Sequence, residues 1–320
     1  MNPERNLTRN TRGFTLIELM VVIAIIALLV TLVAVSLKTV RGSARRTVSL
    51  SALKQIMAAY RSYSDDNRGQ LLPGYIDKNL FARGEPFDNL RVTLPGGTPL
   101  KPEDKQSYVW RLAPYVDNAW EVFYSELRDD GLMAQLEAEY SSGVYGPFGN
   151  SVTGGISERP TYGLNSIFVG GDSVHGGEDA TSRHPWTGDP NVVPLAATRF
   201  TQVKNPARLI VFGATAKANP DATDPVYDDE SFGFCELRPP YLNLDLDMWI
   251  EPQWLVGTRG LVEQTGTGFY NEAGLPIVRN GNDVIPVGML DGSTTAEQLS
   301  NLSRDMRRWN PFEVALRDSG

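Results

Sequence analysis

The stretch RGFTLIELMVVIAIIALLVTLVAVSLK, Arg12 to Lys38, constrains this chain more than any other. From Phe14 to Leu37 it runs for 24 residues with Glu18 as its only charge. A helix of that length reaches roughly 36 Å at about 1.5 Å per residue, enough to cross a hydrocarbon layer about 30 Å thick. A helix buried in a water-soluble domain is rarely apolar on every side for so many turns. The expectation is a bilayer-spanning helix. Glu18 is the departure from it. A carboxylate inside such a span costs about 2.5–3.5 kcal/mol on insertion scales. Its place near the amino end offsets part of that cost, because the helix dipole favours negative charge there.

Ahead of the run, Met1 to Gly13 carries Arg5, Arg9 and Arg12 against Glu4. It lacks the apolar centre of an ordinary secretory signal. Gly13, with no side chain, lets the following peptide bond enter a narrow protease groove in extended form. From that glycine, GFTLIELMVVIAIIALL resembles the class III signal of type IV pilins and type II secretion pseudopilins. The resemblance implies that a prepilin peptidase cuts between Gly13 and Phe14 and that Phe14 is then methylated on its new amine. It also implies a single-pass protein of the inner (cytoplasmic) membrane, with its carboxyl-terminal domain outside the cytoplasm and later in a filament in the periplasm or at the cell surface. Arginines lie on both flanks, with Lys38, Arg41, Arg45 and Arg46 on the far side, so orientation rests on the resemblance and not on charge counting. The implied partners are the prepilin peptidase, other pilin or pseudopilin subunits, an inner-membrane assembly platform and membrane lipid. The Phe14 amine is cationic near neutral pH. A Glu18 carboxylate on a neighbouring subunit would neutralise it, and two charges costly to bury alone become tolerable as a pair. Glu18 is thus expected to set register in assembly.

The helical pattern continues beyond this run. Leu50, Leu53, Met57 and Tyr60, with Ile56 and Tyr63 beside them, form one apolar stripe, and no proline occurs between Phe14 and Pro73. One helix from about Thr15 to Asp66 is expected, with Gly42–Ser43 as its weakest point and the place for a bend. Its end falls at Asp65-Asp66-Asn67-Arg68-Gly69, where turn formers and a C-capping glycine gather. The expected divisions are residues 1–13 as a leader, 14–40 as a transmembrane and assembly helix, 41–69 as the exterior half of that helix, and 70–320 as a loop-rich globular domain. The chain's 30 glycines and 21 prolines, about a sixth of 320 residues against roughly 12% in average usage, punctuate that domain heavily. Ser107 to Asp117 reads as an apolar segment packed on the core, and Trp120 to Tyr140 as one helix or two. Pro160–Gly171 and Ala207–Ala216 are the best strands; both also resemble segments of pilin-like proteins with long exteriors. Val284–Leu290 is a further short strand, held to an edge or a bulge by Pro286. Asp291-Gly292 then turns the chain. Thr294 and Glu297, at capping-box spacing, predict a carboxyl-terminal amphipathic helix through Trp309.

Candidates for chemistry are few. His175 and His184, the only histidines, match no compact zinc signature. Asp65, Asp66 and Asn67, or the acidic run Asp221, Asp224, Asp228, Asp229 and Glu230, have the hard oxygens that calcium takes. They lack the spacing of a defined calcium loop, and solvated loops are the plainer reading. No cofactor is expected beyond that calcium option. The chain has one cysteine, Cys235, so it has no intramolecular disulfide; a small core side chain is its simplest role. No nucleophile elbow, zinc-protease helix or phosphate loop occurs, and the chain reads as a non-enzyme. Net charge is −8, and −10 once the leader is gone, which argues against nucleic acid as the main partner, since a phosphate-tracking surface is basic.

The resulting expectation is an α+β, pilin-like fold: a long amino-terminal helix, membrane-spanning in its first half, packed on a loop-rich domain with a small antiparallel sheet. The implied role is a structural subunit of a type IV pilus-like filament or type II secretion pseudopilus. The alternatives are a minor pilin displaying an adhesin or ligand-binding domain, and a membrane-anchored extracellular enzyme.

Overall fold

The computed structural model describes residues 15–74, 107–117, 119, 122–125, 160–171, 196–217, 233, 235–237, 239, 254–256, 262–264, 273–275 and 284–311. Residues 1–43 and 44–320 make separate compact units. One helix, α1 (Leu16–Asp66), contributes to both. It is helical through Gly42 and Ser43.

In the first unit the expected transmembrane span fails. No helix among the described residues is long and apolar enough to cross a membrane. In α1 the apolar run that follows Thr15 is broken by Glu18 in the first turn. The expected transmembrane segment 14–40 and the single-pass inner-membrane placement fall with it. What the unit presents is a helix with apolar side chains on all sides, from 74% exposed at Leu16 to 42% at Val22.

In the second unit α1 becomes amphipathic. Ser49, Ala52, Leu53, Ile56, Met57, Tyr60, Tyr63 and Ser64 are buried, while Lys54, Gln55, Arg61 and Asp65 face water. Three-and-four spacing puts the first set on one face. Burying Leu53, Ile56 and Met57 contributes about 1.5–3 kcal/mol each. The helix stops where its sequence runs into turn formers. Asn67 donates its side-chain amide to the Tyr63 carbonyl at 2.8 Å, and the Gly69 amide reaches back to Ser64 at 2.7 Å. Arg68 and Gly69 both take positive φ, 56° and 77°, the left-handed ending that glycine adopts at little cost.

Eight short strands lie among the described residues: β1 (Tyr162–Leu164), β2 (Ile210–Ala214), β3 (Ala216–Lys217), β4 (Trp254–Val256), β5 (Val262–Gln264), β6 (Ala273–Leu275), β7 (Val284–Met289) and β8 (Thr294–Gln298). They form two four-stranded sheets, β1-β2-β7-β8 and β3-β6-β5-β4, with antiparallel pairing throughout. The small antiparallel sheet expected from sequence is therefore present, and a second accompanies it. The first is the core. β2 and β7 are buried along their whole length, so they read as continuous apolar runs and not as alternation. α1 lies against them: Tyr60 meets Phe212 edge-on at 5.7 Å. A β-carbon at Gly288 would come within 2.7 Å of Met57 Cγ, so glycine lets the helix approach the strand closely.

The second sheet belongs to the stretch between β2 and β7, which are neighbours in the first. Residues 216–283 carry twelve carboxylates against four basic side chains, an excess equal to the net charge of the whole chain.

A short helix, α2 (Tyr108–Leu112), and the 3-10 turn Ala113–Val116 realise the expected packed segment, with Tyr108, Trp110, Arg111 and Leu112 all buried. Two expectations near the end are corrected. Thr294 to Gln298 is a strand, not a capped helix start; five paired positions with β7 outweigh the local capping signal. The helix α3 spans only Leu299–Arg304. Pro286 sits in an inner strand, not at an edge. Its register explains why this is tolerated: β2 pairing ends at Val287, one residue beyond it, so no β2 residue is paired opposite the ring. The expected helix over Trp120–Tyr140 lies outside the described residues except for a turn at 122–125.

Candidate functional site

Thr15 and Glu18 stand at the start of α1 in a Thr-x-x-Glu spacing. The Thr15 amide and hydroxyl both donate to Glu18 Oε2, each at 2.8 Å, and the Glu18 amide donates to Thr15 Oγ1 at 3.3 Å. This reciprocal arrangement is a capping box, which satisfies amides that the first turn of a helix otherwise leaves without partners. The Thr15 amide, and secondly its hydroxyl, hold the Glu18 carboxyl below its usual range. Glu18 is therefore an ionised, fixed group at neutral pH. Both Thr15 donors use Oε2, so no described residue is bonded to Oε1. Gly13 and Phe14, the expected scissile pair, lie outside the described residues.

Beyond the cap come the exposed apolar side chains of Leu16 to Leu32. Thr31 is the one hydroxyl among them, and it returns its hydrogen to its own helix, to the carbonyls of Ala27 and Leu28 at 2.9 and 2.8 Å. Its polarity is spent inside the helix, and the outer surface stays apolar. Thr15 was missed as a functional residue in the sequence, although its spacing to Glu18 was legible there.

The other candidates do not converge. Asp65 pairs with Arg61 one turn back at 3.2 Å, both well exposed. Asp66 and Asn67 lie beside Tyr115, which ties this helix end to the domain. No group of three or more His, Cys, Asp or Glu among the described residues is placed to hold a metal ion. His175, His184, Asp221, Asp224, Asp228 and Asp229 lie outside the described residues. Cys235 is half-buried against the core, as a small apolar side chain would be.

Two buried polar residues serve the scaffold. Arg111 is fully buried; it donates to the Gly74 carbonyl and, at 3.4 Å, to that of Ser107. Burial draws its pKa down to about 10, against the opposing influence of Tyr63. Asn165 donates its side-chain amide to the carbonyls of Ile210, at 2.9 Å, and Trp309, at 3.1 Å. It thereby ties the end of β1 to β2 and to the carboxyl-terminal segment.

Residues 8–34 match the prokaryotic N-terminal methylation motif. That stretch contains the Gly13–Phe14 pair, the capping box and most of the exposed apolar helix. No curated protein and no solved structure matches the chain. The amino terminus thus carries a prepilin-type methylation signal, of the kind a processing peptidase reads.

Proposed function

We propose that this chain is a pilin- or pseudopilin-like subunit, cut between Gly13 and Phe14 by a prepilin peptidase and built into a filament through α1. The methylation motif over residues 8–34, set on a helix whose apolar side chains face outward, carries the reading. Hydrolysis places a hydroxyl on the Gly13 carbonyl carbon and leaves Phe14 with a free amine, which is then methylated. Packing the Leu16–Leu32 surface against like helices removes it from water, and each apolar Å² so covered contributes about 25 cal/mol. The Phe14 amine of one copy then meets the Glu18 carboxylate of the next. Because Thr15 occupies Oε2 alone, Oε1 can accept that amine without loss of the helix cap. After cleavage 307 residues remain, more than a compact major subunit needs, and this favours a minor subunit that displays its globular domain.

The test is co-expression with an active prepilin peptidase and its assembly machinery, scoring processing and incorporation separately. Glu18→Ala should be cut like the native chain yet fail to enter filaments. Normal incorporation of that variant would overturn the role given to Glu18.

A further inference from the structure

We draw no further inference here: the strongest candidate, the acidic stretch 216–283 between β2 and β7, is a run of carboxylates at which nothing among the described residues points to a ligand.

Discussion

At Glu18 the helix cap uses one carboxylate oxygen. Oε2 accepts from the Thr15 amide and hydroxyl, and in the proposed filament Oε1 would take the neighbour's amine. Thr15→Ala removes the hydroxyl but keeps the backbone amide. The Glu18 pKa should therefore rise part of the way back toward the ordinary carboxylate value, as read by side-chain carbonyl NMR through an acid titration. An unchanged pKa would mean that the hydroxyl does not hold this group. Asn165 offers a test of the scaffold. Its replacement by alanine leaves two buried carbonyls without their donor, at a cost of roughly 1–3 kcal/mol for each. By contrast, Arg61→Ala breaks only a water-exposed pair with Asp65, a loss of at most about 1 kcal/mol, together with the contact of its guanidinium with the Phe200 ring. Urea unfolding of residues 44–320 should rank Asn165→Ala well below Arg61→Ala. Glu18 was legible in the sequence because it interrupts an apolar run. The role of Asn165 was not, since both its acceptors come from segments remote in the chain.

At the scale of elements, the carboxyl-terminal segment shows what local pattern cannot decide. Thr294 and Glu297 have the spacing of a helix cap, but pairing with β7 claims them for a strand. Glu297 then meets Arg308 at 2.8 Å across the turn, with both side chains mostly buried. That hydrogen bond holds the Glu297 carboxyl below its usual range, against the upward pull of partial burial. The sign follows from linkage: the stabilisation is complete above the unfolded carboxylate pKa, near 4.5, and is lost as pH falls through the lowered folded value. Glu297→Gln should therefore flatten the acid limb of a stability-against-pH curve and leave its slope near pH 7 unchanged. Elements set by their own neighbours in sequence were legible: α1 with its stop at Gly69, the buried runs of β2 and β7, and the Asp291-Gly292 turn, where Ser293 donates its amide to Asp291 at 2.9 Å. Elements set by distant pairing, such as β8 and the inner position of Pro286, were not.

Over the whole molecule the chain divides into two units: residues 1–43, where α1 exposes the apolar side chains of Leu16 to Leu32, and residues 44–320, which hold both sheets. The second carries its own core, so a chain begun at Ala44 should fold, with the amphipathic part of α1 intact and a single cooperative thermal transition. It should also stay monomeric in sedimentation, while the chain begun at Phe14 associates, because only the latter exposes Leu16 to Leu32. Length of apolar sequence alone suggested a bilayer crossing; no helix among the described residues is long and apolar enough for one, and α1 carries Glu18 in its first turn. The processing signal is the feature on which the proposed role rests, and mass spectrometry of the amino-terminal peptide addresses it directly. Protein recovered from cells with an active prepilin peptidase should begin at Phe14 and carry one methyl group on its amine. Recovery of the chain with residues 1–13 still attached, in cells that process a control prepilin, would contradict it.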